Sequence, residues 1–143
     1  MSKAGPYTKP GRLADVLALI QVLALDEFLR RTEDGITKEL QGRPVSAGSW
    51  YEIGQEHREF FRVDPDAKSG LSLVARYVLT DVASGERPRI EPAFVSTLLQ
   101  TAITLHEKET NAADKWKAFM PLWSALAAGA LALAGAWIGG SHH

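Results

Sequence analysis

Ser49-Trp50-Tyr51-Glu52-Ile53-Gly54-Gln55-Glu56-His57-Arg58-Glu59-Phe60-Phe61-Arg62-Val63 is the stretch on which the fold depends. It opens with a capping box: the Ser49 hydroxyl can accept from the N–H of Glu52, whose carboxylate can reach back to the N–H of Ser49. Trp50, Ile53, His57 and Phe60 or Phe61 follow at helical spacing. This predicts a helix from Trp50 to about Phe60 with those residues inward. Tyr51, Glu52, Gln55, Glu56, Arg58 and Glu59 then form its outward face. Phe61-Arg62-Val63 reads as extended.

Downstream, Asp64 to Gly70 is dense in turn formers, and Leu71 to Leu79 alternates as a strand would. The two extended runs predict a hairpin with a mobile tip. Upstream, Leu13, Val16, Leu17, Ile20, Leu23, Ala24 and Phe28 mark one face of a helix over Arg12–Arg31, with Leu19, Val22 and Leu25 widening it. A short helix over Gly35–Gln41 should turn Ile36 and Leu40 inward and stop at Gly42. Residues 1–11 contain Gly5, Pro6, Pro10 and Gly11 without an apolar run. A loose arm is expected there, and no signal peptide.

Three helices, the third running into a hairpin, form an order that resembles the winged helix-turn-helix superfamily over about residues 13–79. Ser49–Val63 resembles a recognition helix entering the first wing strand, and Leu71–Arg76 resembles the returning strand. The chain is also similar to small bacterial proteins with a C-terminal membrane helix, a likeness that implies no activity. The superfamily resemblance implies that the third helix could enter a DNA major groove. Arg43, Arg62, Lys68 and Arg76 would then supply phosphate contacts around the wing. Glu52, Glu56 and Glu59 on the matching face oppose this, because they would repel phosphates. A protein-facing role for that surface is favoured instead.

Past a polar loop at Asp81–Arg89, Pro92 opens a long helix with Phe94, Val95, Leu98, Leu99, Ala102, Ile103 and Leu105 on its apolar side. Glu107–Asp114 is a polar hinge or exposed extension, so residues 91–117 read as a connector. The 16 basic and 17 acidic side chains all lie at or before Lys117. From Ala118 to Ile138 no charge occurs, and a helix of that length spans roughly 30 Å, the apolar thickness of a bilayer. Trp116, Trp123 and Trp137 lie near its two ends, where indoles favour membrane interfaces.

Residues 118–140 therefore predict a single membrane-spanning helix. Lys108, Lys115 and Lys117 before it, with no basic residue after it, place the N-terminal domain in the cytoplasm at an inner membrane. Ser124, Ala128, Ala132 and Ala136 recur every four residues, and Gly135 and Gly139 form a GxxxG pair. Such smooth faces let helices pack closely in lipid. The closing Gly139-Gly140-Ser141-His142-His143 reads as a tag fragment and is set aside as a metal site.

A net charge of −1 offers no basic stripe for nucleic acid. The absence of cysteine excludes disulfides, thiolate catalysis and Cys-based zinc sites. His57 and His106 lack metal-ligand spacing and read as surface or half-buried helix residues. Glu56-His57-Arg58-Glu59, on consecutive helical positions, should point in different directions. No catalytic set, cofactor or small-molecule substrate is indicated, and no enzyme is expected. The expected architecture is α+β, a winged-helix-like domain with a long helix and a membrane anchor. The leading functional expectation is a membrane-tethered adaptor that binds a protein or its own copy. A membrane-anchored DNA-binding regulator and a small membrane-perturbing effector stand as alternatives.

Overall fold

The computed structural model describes residues 5–66, 70–78, 90–112 and 114 of the chain. These residues form a mixed α+β domain. Helix α1 spans Arg12–Leu25, α2 Glu33–Glu39 and α3 Trp50–Glu56. Strands β1, Phe61–Val63, and β2, Leu71–Leu73, precede α4, Val74–Val78. A long helix, α5, covers residues 92–112.

Helix α1 is the central pillar. Val16, Leu19, Ile20, Leu23 and Ala24 are buried, and Leu13 and Leu17 pack against the same core. Each large aliphatic side chain among them contributes roughly 1.5–3 kcal/mol by leaving water. That exceeds the propensity differences of less than about 1 kcal/mol that separate ordinary residues in a helix. The helix ends at Leu25, six residues short of the expected Arg31. Asp26 adopts extended backbone there (φ −67°, ψ 143°), and its carboxylate accepts from the N–H of Phe28 at 2.8 Å. Leu25 and Phe28, expected inside, are 74% and 67% exposed.

The loose arm is overturned from Gly5 onward. Pro6–Thr8 form a 3-10 turn that carries Tyr7 into the core at 2% exposure. Helix α2 starts two residues earlier than Gly35, because the Thr32 hydroxyl accepts from the N–H of Gly35 at 3.2 Å and caps it. Ile36 is buried as expected, and Leu40 packs against the core.

At the C-terminus of α2 the N–H of Gly42 reaches the Thr37 carbonyl at 3.0 Å, and the N–H of Gln41 reaches that of Lys38 at 3.3 Å. These are the two bonds of a Schellman motif. Its left-handed position falls on Gln41 (φ 55°), not on Gly42. Gln41 is exposed, so its side chain has little packing to lose. Gln41→Gly should therefore stabilise the domain by about 0.5–1 kcal/mol, the relief of Cβ strain outweighing the added chain entropy. A raised urea midpoint with an unchanged slope is the expected reading.

Strands β1 and β2 pair antiparallel, with Phe61 opposite Leu73, Arg62 opposite Ser72 and Val63 opposite Leu71. On the other side of Leu71 lies Arg31, from the segment between α1 and α2. Their backbones exchange two hydrogen bonds of 2.9 and 2.7 Å. The hairpin is thus stitched to the helices through its returning strand. That strand stops at Leu73 instead of reaching Leu79: the N–H of Val74 makes one more bond in register, to the Phe60 carbonyl (2.9 Å), and the chain there passes into α4. The expected tip at 67–69 and the polar loop at 81–89 lie outside the described residues.

Among the described residues α5 is helical from 92 through 112 and at 114, and it packs on the domain. It contributes Ala102 to the core, and Ile90, Val95, Leu98, Leu99 and Leu105 accompany it. Phe94 remains outside at 36% exposure. Among the described residues no helix is long and apolar enough to cross a membrane. The expected span at 118–140, with Ser124, Ala128, Ala132, Gly135, Ala136 and Gly139, lies outside them.

Candidate interaction groove

The N-terminus of α3 is held from two sides. The Ser49 hydroxyl accepts from the N–H of Glu52 at 3.1 Å, as the capping box requires. The Glu52 carboxylate accepts from Gly48 (3.0 Å) instead of from Ser49. Glu33 of α2 supplies a second cap, its two carboxylate oxygens accepting from the N–H groups of Trp50 (2.8 Å) and Tyr51 (2.9 Å). A carboxylate at a helix N-terminus also meets the favourable end of the dipole. The Trp50 indole donates to the Gly42 carbonyl at 3.2 Å.

Gly54 faces the hairpin. A Cβ there would lie 2.5 Å from Leu71 Cδ2 and 2.9 Å from Val63 Cγ2, so its absence lets α3 sit close on the strands. This leaves Tyr51, Gln55 and Arg58 on the outward side, and they open onto a groove between α3, β1 and the start of α4. The groove encloses about 530 Å³, and Arg62, Asp64 and Val74 also line it. Asp64 is already paired with Arg30 (2.8 Å). Arg58 and Arg62 are exposed and have no ionic partner among the described residues. The Arg62 guanidinium lies 5.1 Å from the centre of the Tyr77 ring, a cation–π placement that holds it near the groove.

Of the six residues expected on the partner-facing surface, Tyr51, Gln55 and Arg58 meet in this groove. The other three are turned to internal contacts. Glu52 lies 3.9 Å from Lys9 Nζ. Glu56 accepts from Lys9 (2.7 Å) and from the buried Arg12 guanidinium. Burial alone would raise the Glu56 carboxyl, but the bonds from Lys9 and Arg12 outweigh it and hold the group below its ordinary range. Glu59 accepts from the Tyr7 hydroxyl (2.9 Å) and lies 3.1 Å from His57 Nδ1. Burial again pushes upward on Glu59, and the bonds from His57, the backbone and Tyr7 bring it below the ordinary value.

The four basic wing candidates do not assemble. Arg62 lines the groove, Arg43 is exposed on the loop after α2, and Lys68 lies outside the described residues. Arg76 is 3% exposed, and its guanidinium donates to the Phe28 and Asp26 carbonyls at 2.6 and 2.5 Å. It is a strut beneath the α1–α2 turn and cannot contact phosphate.

His57 is fully buried, against its reading as a surface or half-buried residue. It also converges with Glu59, which a continuous helix would forbid. The helix ends at Glu56, and His57 takes non-helical backbone (φ −119°, ψ 58°), so the chain bends and brings the two together. Tyr7 completes the cluster with its ring 4.4 Å from the imidazole. Burial, then the carboxylates of Glu59 and Glu109, drives the Tyr7 hydroxyl far above the ordinary phenol range. Among the described residues no group of His, Asp and Glu could hold a metal ion. In comparisons with family models, curated proteins and solved structures, no match to this chain was found.

Proposed function

We propose that the chain is a membrane-tethered interaction protein whose winged-helix-like domain binds an acidic segment of a protein partner in the groove between α3 and β1. The winged-helix-like reading is supported by three helices leading into a hairpin whose returning strand is tied back to the α1–α2 segment. The observation that carries the binding reading is the pair Arg58 and Arg62, exposed on one groove beside Tyr51 and Gln55 without an ionic partner among the described residues. A carboxylate-bearing segment would meet two guanidinium forks and an aromatic wall. Arginine and tyrosine are residue types that dominate protein contacts. The tether rests on the charge-free run Ala118–Ile138.

DNA binding is the second reading, and one observation favours it. Glu56 and Glu59 are engaged internally, so the repulsion expected from them is reduced. Burial of Arg76 removes a phosphate contact, however, and Asp64 shares the groove with the two arginines. Two cations make a small electrostatic footprint for a duplex.

Selection of displayed random peptides on the purified protein, with Arg58→Glu/Arg62→Glu as counter-target, tests the proposal. Peptides rich in Asp and Glu should be recovered on the native protein, and their affinity should fall at least about tenfold on charge reversal, more than 1.4 kcal/mol. Recovery of peptides without carboxylates, or equal binding to both proteins, would refute it. Salt-sensitive retention of duplex DNA, lost in the same variant, would establish the second reading instead. Sedimentation of the full chain with membranes, and of a form ending at Lys117 without them, is the expected outcome for the tether.

A further inference from the structure

Tyr7 stands between the end of α3 and α5. On one side its ring packs on His57 and its hydroxyl donates to Glu59, both just past the end of α3. On the other side its backbone is held by α5. The Tyr7 N–H donates to Glu109 Oε2 at 3.0 Å, and His106 Nδ1 lies 3.1 Å from the Tyr7 carbonyl. The His106 ring meets the Tyr7 ring edge-on, 6.2 Å between centres. Gly5 lies tight against the same carboxylate: a Cβ there would fall 2.1 Å from Glu109 Oε2. Lys9, two residues further on, closes the segment onto α3 through Glu56.

The rest of α5 is lightly held. Among its described residues only Ala102 is fully buried, whereas α1 buries seven side chains. Its Thr97, Thr101, Thr104 and Thr110 hydroxyls bond back to carbonyls of the same helix. Elements with few buried contacts open at lower free energy than the core they lie on. The polar contacts at Tyr7 fall at residues 106 and 109, within a dozen residues of Ala118, where the charge-free run begins.

We propose that Gly5–Lys9 is an intramolecular clasp that locks α5 to the end of α3, and that its release lets α5 lift from a domain that stays folded. The clasp thereby sets how the domain is disposed toward whatever follows α5. It is a conformational device, independent of the groove and of what the groove binds.

Amide hydrogen exchange of the full chain in detergent tests it. In Tyr7→Ala, the amides of residues 95–110 should lose about 30-fold or more in protection, while those of Val16–Ala24 change less than about threefold. Tyr7→Phe keeps the ring and the two backbone contacts, so protection of α5 should stay within about threefold of the native chain. Should Tyr7→Ala fail to fold, His106→Ala/Glu109→Ala removes only the grips on α5 and should give the same selective loss. Equal loss in α1 and α5 would make Tyr7 an ordinary core residue and overturn the clasp. Unchanged protection of α5 in the variants that remove its grips would overturn it equally.

Discussion

Gly70→Ala is expected to destabilise the domain by about 3 kcal/mol or more, through two effects that add. Gly70 has φ +108°, a region that side chains with a Cβ rarely occupy. The space is closed as well. A Cβ at this position would lie 2.6 Å from the Arg31 carbonyl oxygen and 2.9 Å from its carbon, both backbone atoms. A flexible side chain could swing aside, but Arg31 is fixed by its two bonds to Leu71. Relief therefore requires separating the α1–α2 segment from β2, which breaks the bridge and loosens Leu71 at the centre of the core. For a domain of about 100 residues this corresponds to a fall of roughly 10–20 °C in Tm. A fall of less than about 4 °C would mean that the bridge yields freely.

What could be read in advance was local. The periodicity of Val16, Ile20, Leu23 and Ala24 announces α1 because one core face dictates every third or fourth residue. Ser49 and Glu52 announce the start of α3 because a cap acts across three residues. The hairpin follows from turn formers between two apolar runs. The misses share a different origin. Helix α1 ends at Leu25 partly because Arg76, fifty residues after Asp26, grips the Asp26 and Phe28 carbonyls. Strand β2 gives way to α4 at Val74, a change that the alternation from Leu71 to Leu79 does not mark. Nothing near Tyr7 marks it as buried, since the groups that hold it lie 52 and 102 positions away.

The groove was legible in part for the same reason. Tyr51 and Gln55 share one side of the third helix, so their common position follows from helical geometry, whereas Arg58 reaches the groove from the turn after the helix ends at Glu56. Arg62 joins them because the strand leaves directly from that helix. Glu56 and Glu59 lie on the same surface but are engaged by partners that local spacing does not show: Lys9 and Tyr7 come from the arm that reads as loose, and Arg12 from the first residue of α1. Composition there does not distinguish a free segment from one pinned by a single aromatic ring.

Arg12 is the residue whose loss should be felt most widely after Gly70. Its side chain is fully buried, yet it binds three groups on two other elements. Nε donates to Ser46 Oγ at 2.8 Å, Nη2 to the Ser46 carbonyl at 2.9 Å, and Nη1 to Glu56 of α3. Asp15, one turn along α1, accepts from the N–H groups of Val45 (3.1 Å) and Ser46 (2.7 Å), so the two ions together fasten the loop before α3. Breaking a buried pair by removing one partner typically costs about 3–5 kcal/mol. Glu56 is 31% exposed and keeps Lys9, so the ion pair alone contributes less than that. The Ser46 carbonyl also loses its donor and the buried side chain leaves a cavity, so Arg12→Ala should cost about 3 kcal/mol in urea unfolding. Arg12→Lys should recover little, because an ammonium cannot reproduce the planar fork that reaches both Ser46 and Glu56. Lys9→Ala provides the contrast. Its Nζ bonds the same Glu56 carboxylate from a side chain 43% exposed, and an ion pair in water contributes about 1 kcal/mol at most. Equal costs for Arg12→Ala and Lys9→Ala would show that the charge on Glu56 matters and the buried fork does not.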